Sequence, residues 1–246
     1  MAHIAYEARR CLLAAPNVSN AGLIGSLQPF LGLVLRDRTL SAEEQLGLMG
    51  ELQFLHELLA EEATSVAERQ EAIESWCGPA SALRDFHNHG LSVEVKTSSS
   101  GTRHHVSMDQ LALSADEVTL ILCSVRARRD ASAPLKLPDK VKRIEEVLAD
   151  DELVALLRRR LASYGSVGYE PDNHRLYELQ DGFFVERTAL REITDSTPIL
   201  RPSSFLPGQP PPNVTAIRYV IDVGSIPTLP MDAKRRVIST LLGRHC

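Results

Sequence analysis

Polar and apolar side chains alternate without a break from Leu91 to Lys96. Leu91, Val93 and Val95 fall on one side and Ser92, Glu94 and Lys96 on the other, the two-residue period of a half-buried strand. Asn88-His89-Gly90 just before it supplies the backbone freedom of a tight reversal. The pattern predicts two short strands joined by a turn over Asp85–Lys96. A helical period follows Ser41, where Ser41 and Glu44 fit a capping box, and the helix is expected to run to about Ala63. Ala67–Trp76 reads as a second helix and His104–Met108 as a strand. Val118–Val125 is nearly all apolar, as in a central strand covered on both faces. After a loop at Asp130–Pro138, Asp139 to about Ser163 is helical, with a break or cap at Asp150-Asp151. Leu153, Leu156, Leu157 and Leu161 are spaced for one buried face. Arg175–Glu186 alternates around Asp181-Gly182, a hairpin signal. Ile199–Pro212 is a proline-rich loop, Ala216–Val223 a strand, and Met231–Leu242 a last helix. The first 36 or so residues have a helical pattern broken at Pro16-Asn17 and near Pro29.

Composition narrows the class. The 246 residues are 43% hydrophobic and 24% charged, as in a soluble globular protein. No apolar run reaches the roughly 20 residues of a membrane helix, and the N-terminus has no long apolar segment of a secretory signal. Cys11, Cys77, Cys123 and Cys246 lie far apart and make no CxxC pair, which reads as reduced thiols in a cytoplasmic protein. The net charge of −5 is not the footprint of a strong autonomous DNA binder. Cations still cluster at Arg126/Arg128/Arg129, Lys140/Lys142/Arg143, Arg158–Arg160 and Lys234–Arg236, each a solvated face or a phosphate track. There is no P-loop and no G-x-S-x-G elbow, so neither ATP hydrolysis nor serine-nucleophile chemistry is expected.

The polar face of the hairpin holds the candidate chemistry. Glu94 and Lys96 stand two residues apart on one side, and Asp85 at the mouth of the preceding strand can fold back towards them. Two carboxylates suit a hard cation such as Mg²⁺. Such an ion acidifies a water and offsets charge on a phosphodiester, and a lysine orients that water or stabilises the developing charge. Glu51 is a second signal: it falls in the middle of the helix face made by Leu48, Phe54, Leu55, Leu58 and Leu59. A carboxylate there costs several kcal/mol unless paired or bound to metal. Two readings stay open: a buried ion pair or a helix lying at a domain edge, and a side chain aimed at a metal site. His87 and His89 are spaced i, i+2, but a zinc site lacks further ligands at matching spacing. The lone Trp76 reads as a packing anchor rather than a base-stacking platform.

The D-x(8)-E-x-K series Asp85, Glu94, Lys96 resembles the PD-(D/E)xK nuclease signature, with Arg84 where proline usually stands. G-E-L-Q-F-L at Gly50–Leu55, W-C-G-P at Trp76–Pro79, E-V-K-T, Gln110-Leu111 and Gly168-Tyr169 extend the likeness to a bacterial family of PD-(D/E)xK motif proteins, often encoded in restriction or phage-defence clusters. The resemblance covers roughly residues 20–225 and implies an α/β, restriction-endonuclease-like core, a mixed sheet flanked by helices. The expected organisation is an N-terminal helical segment (1–40), the nuclease core (41–165) and a β-rich C-terminal extension ending in a helix (166–246). The implied activity is a Mg²⁺-dependent DNA endonuclease, with Mn²⁺ as substitute. Asp85, Glu94 and the carbonyl of Val95 would hold the metal, Lys96 the water, and Glu51 would support the ion. By the same resemblance Gln110 would touch DNA or the attacking water, though it reads equally as a helix-surface residue. Implied partners are DNA and other defence proteins, such as ATPase or methyltransferase subunits. A homodimer is expected on the ground that cutting both strands pairs two sites. The rival readings are a nuclease-fold subunit that binds DNA or proteins without cutting, and a hydrolase of RNA or a small phosphoester.

Overall fold

The computed structural model describes residues 39–78, 83–99, 101–165, 167–169, 177, 180–186, 188–205, 213–214 and 216–244. The expected N-terminal helices lie outside them. The first described helix, α1, spans Ala42–Glu57 and ends in a π-turn over Leu58–Glu62. Ser41 accepts from the Glu44 amide while Glu44 reaches back to the Ser41 amide, the reciprocal cap that the sequence predicts. Helix α2 (Val66–Ser75) starts with the same device at Ser65 and Glu68. Strands β1 (Phe86–Asn88) and β2 (Leu91–Ser98) form the expected hairpin. His89 and Gly90 at its tip have φ of 47° and 76°, a reversal that glycine enters without strain.

Strand β3 (Arg103–Ser107) leaves the main sheet, and β4 (Thr119–Asp130) returns parallel to β2. Helices α3 (Leu137–Leu148) and α4 (Asp151–Leu161) follow, split by Ala149 at φ 50° and the Asp150 cap, close to the break expected at Asp150-Asp151. Strands β5 (Gly182–Val185) and β6 (Ala189–Glu192) both pair antiparallel with β4. The hairpin expected at Asp181-Gly182 falls partly on residues outside the described ones (175–176 and 178–179), and its described second half pairs with β4. Gly182 instead opens β5, and Tyr177 lies in a helical turn. The long end of β4 supplies the pairing partner. A Cβ at Gly182 would come within 2.3 Å of the Ala133 carbonyl oxygen, so the glycine serves a close backbone approach and not a turn. Strand β7 (Arg218–Asp222) pairs with β3 in a separate two-stranded ribbon, and α5 (Met231–Leu241) ends the described chain.

The result is a mixed sheet in the order β1-β2-β4-β5, with β6 also on β4, flanked by helices: an α/β, restriction-endonuclease-like fold. As Val118–Val125 suggests, β4 is covered on both faces. Ile121, Cys123 and Val125 join Val93 and Val95 of β2 in the large core with the helices. Leu120 and Leu122 face the ribbon, in a smaller core with Val106, Ile221 and Val223. Register places Glu94 opposite Leu122 and Lys96 opposite Ser124. The face of β2 that carries Glu94 and Lys96 is therefore the ribbon side, and its apolar face anchors it to the helices. No described helix is long and apolar enough to cross a membrane.

Candidate active site

The hairpin brings Asp85, Glu94 and Lys96 together. Asp85 Oδ2 accepts from the Val95 amide at 2.7 Å, folding the carboxylate back over β2. Lys96 Nζ lies 2.7 Å from Glu94 Oε1. The other Glu94 oxygen, Oε2, is buried with no hydrogen-bond partner. Buried carboxylate oxygens without a donor are costly and rare, so this atom faces the site unsatisfied.

Glu51 reaches the same place from α1. Gly50 sets the approach: a Cβ there would fall 1.8 Å from Thr97 Oγ1, so only glycine lets α1 lie this close to β2. The Glu51 carboxylate accepts from Trp76 Nε1 at 2.7 Å and from Tyr164 OH at 2.6 Å. A Cβ at Gly78 would lie 2.4 Å from Glu51 Oε2 and 3.3 Å from Asp85 Oδ1, so the two acids border one gap. The Asp85 carbonyl accepts from the Cys77 and Gly78 amides at 2.7 and 3.0 Å, which ties the loop after α2 to the hairpin. Arg160 donates to the Trp76 carbonyl and holds the loop from the α4 side.

The electrostatics follow from crowding acids in a dry place. Burial, then Asp85, pushes Glu51 well above the ordinary carboxylate range, against its Tyr164 and Trp76 donors. Burial raises Asp85 to about 6, against the pull of Lys96 and the Val95 amide. Burial and Asp85 together raise Glu94 to about 8, against Lys96. Next to them His104 of β3 is buried with Nε2 2.8 Å from Ser124 Oγ, and burial, then Lys96, lowers it to about 4. It stands as a neutral imidazole at the edge of the site.

Other expected residues take structural places. Gln110 sits in a short 3-10 turn (Asp109–Leu111), where its Oε1 accepts from the Ser107 amide at 3.0 Å. That bond joins it to its own turn and not to the acidic residues. His87 Nδ1 pairs with Ser92 Oγ at 2.9 Å, and His89 forms the hairpin tip. Trp76 is fully buried, an anchor as expected, but its indole also holds Glu51. Sequence reasoning gave no site role to Tyr164, Gly78 or Arg160, although Arg160 lies in the Arg158–Arg160 cation cluster. Gly78 lay within the quoted W-C-G-P, whereas nothing local marks Tyr164, whose partner is 113 residues away.

Among the described residues no three His, Cys, Asp or Glu side chains close into a metal cage. Mg²⁺ does not require one, because it keeps several waters and takes one or two carboxylates. The residues present fit such an ion. Asp85 and Glu94 offer hard oxygens, one of them an orphan, and the surplus of acid over the single Lys96 ammonium calls for added positive charge.

A mixed sheet whose first hairpin brings together an acid pair and a lysine defines a protein of the restriction-endonuclease-like, PD-(D/E)xK class. A family model described as "Putative PD-(D/E)XK family member (DUF4420)" matches residues 16–224, and the chain belongs to that family. Membership supports a nuclease-type enzyme, in a superfamily that typically uses divalent metals. Comparison with curated proteins and with solved structures gives no significant match.

Proposed function

We propose that this protein is a Mg²⁺-dependent DNA endonuclease that hydrolyses phosphodiester bonds, working as the cutting component of a bacterial restriction or anti-phage system. The observation that carries the reading is the convergence of Asp85 and Lys96 on the buried Glu94, whose Oε2 is left without a partner. Asp85 and Glu94, with the Val95 carbonyl, would hold the cation, which supplies Lewis-acid polarisation of the phosphate and an acidified water. The chain's own residues do the rest. Lys96, 18% exposed at its side chain, is the charged donor that reaches solvent beside Glu94, so it can orient water and offset charge on the phosphate. The Val95 amide fixes Asp85, and Glu51 borders the same gap from the α1 side, where a bound cation would favour its charged form.

One observation favours a second reading, a nuclease-fold subunit that binds DNA or partners without cutting. The net charge is −5, and Arg126, Arg128, Arg129 and Arg158 are spent on Glu186, Asp130, Asp181 and Glu145. DNA facing these paired cations would be delivered by partner subunits, such as an ATPase or methyltransferase. The test is cleavage of supercoiled plasmid by the purified chain in Mg²⁺ and in Mn²⁺, beside Lys96→Ala. Nicking or linearisation that vanishes in the variant supports the nuclease. No cleavage, together with no heat of Mg²⁺ or Mn²⁺ binding, supports the binding subunit.

A further inference from the structure

The cation reading of Asp85 and Glu94 leaves the Glu51 arrangement unexplained. A buried carboxylate needs donors, and one would do to relieve the worst of its cost. Glu51 has a donor on each oxygen, from residues far apart in sequence: Trp76 Nε1 on Oε2 and Tyr164 OH on Oε1. The two rings lie side by side, centroids 6.3 Å apart and tilted by 31°. Both are buried, so neither can swing away. Each carboxylate oxygen still has a second lone pair. The direction left to Oε2 is the gap at Gly78, where any side chain would meet both Glu51 and Asp85. The carboxylate is thus clamped from behind and open in front.

We propose that Trp76 and Tyr164 are positioning residues of the cation site, fixing Glu51 so that its free edge faces the gap kept open by Gly78 beside Asp85. This rests on the cation reading above. Residues that orient a metal site from outside typically set its affinity by 10–100-fold, through geometry and not through the fold's stability. A merely structural clamp would move stability alone. Trp76 is the chain's single tryptophan, so its emission reports on Glu51 without a probe.

The experiment is a calorimetric Mn²⁺ titration of the metal-free full chain and of Tyr164→Phe, with thermal unfolding and tryptophan emission followed in parallel. We expect the dissociation constant of Tyr164→Phe to rise by at least about 10-fold. Glu51→Gln should show the same rise, and the double variant should add nothing, since both act through one carboxylate. Saturating wild type with Mn²⁺ should change Trp76 emission. Wild-type affinity in a folded Tyr164→Phe, with or without a lower Tm, overturns the proposal. If Tyr164→Phe does not fold, wild type decides: cation binding by calorimetry with unchanged emission also overturns it. A wild type that takes up no cation removes the metal reading itself, a result seen before any variant is made.

Discussion

Arg84 and Asp85 are neighbours in sequence and open two buried charged clusters of opposite design. Arg84 is buried and fully matched. Its Nε lies 2.5 Å from Glu117 Oε1 and its Nη2 donates to Glu117 Oε2 at 2.7 Å. Its terminal nitrogens also donate to the Asp109, Gln110 and Ala112 carbonyls. Burial works against charge on Glu117, yet the guanidinium and the Ser114 amide win and hold its carboxyl at about 2. One residue on, the same dryness wins instead. Glu94 rises to about 8, with one oxygen bonded to Lys96 and the other to nothing. A cluster that satisfies every donor and acceptor holds the fold together. A cluster that leaves an acid surplus is costly on its own, a cost that a bound cation would offset. The arginine that stands where the signature has proline thus fastens the chain just before the β1–β2 hairpin, by side-chain bonds and not by a rigid φ.

The comparison breaks most visibly through activity. Lys96→Ala and Asp85→Ala should each lower plasmid cleavage by on the order of 10³-fold or more, with a change in Tm of only a few degrees. Both residues serve the open cluster, so a variant that cuts normally removes the assignment. Arg84→Ala should do the reverse. Leaving Glu117 buried and unpaired costs about 3–5 kcal/mol, read as a lower urea midpoint. Whatever fraction of Arg84→Ala stays folded should still bind Mn²⁺.

Much of this was legible in the sequence because it is local. The Ser41/Glu44 cap, the turn at His89-Gly90, the alternation of β2 and the two-sided burial of β4 each follow from residues a few positions apart. Glu51 stood out because a carboxylate in an apolar stripe must be explained. What was not legible depends on distant partners. Arg175–Glu186 alternates like a hairpin, yet Gly182–Val185 finds a better partner in the free end of β4. Tyr164 meets Glu51 only after α3 and α4 have turned the chain back. Gln110 has a plausible place in the motif series, but its side chain closes its own turn on Ser107.

A smaller effect tests how the open cluster is positioned. Gly50→Ala puts a methyl group where Thr97 Oγ1 already lies, at 1.8 Å, so α1 must lift from β2. Overpacking of this kind costs about 1–3 kcal/mol. Because Glu51 is the next residue, the shift should weaken Mn²⁺ binding as well as lower Tm. A hydroxyl-free neighbour should restore part of both, so Gly50→Ala combined with Thr97→Ala should recover stability and affinity together. Recovery of stability alone would mean that the α1–β2 contact does not set the site.

The smallest effect is the pH dependence of the metal-free protein, and here the clusters oppose each other in sign. Asp85 and Glu94 are raised from 3.8 to about 6 and from 4.5 to about 8. Between those limits the native state keeps protons that the unfolded chain has released. Their contribution is therefore full below about pH 4 and drains away as pH rises through 6 and then 8. Glu117, lowered from 4.5 to about 2, contributes stability that is present above about pH 4.5 and lost only in acid. Over pH 5–8 the paired cluster is flat and the open one slopes downward. His104 and His56, both lowered from 6.5 to about 4, push stability the other way below about pH 6.5. Metal-free wild type should therefore lose several degrees of Tm chiefly from pH 6.5 to 8, since ~1 kcal/mol shifts a domain of this size by about 2–4 °C. Glu94→Gln, which cannot ionise, should flatten the upper half of the slope, and saturating Mn²⁺ should reverse it, because the cation displaces the protons the site holds. Equal slopes in wild type and Glu94→Gln would show that Glu94 ionises in the metal-free protein like an ordinary carboxylate, and the contrast with Glu117 would be lost.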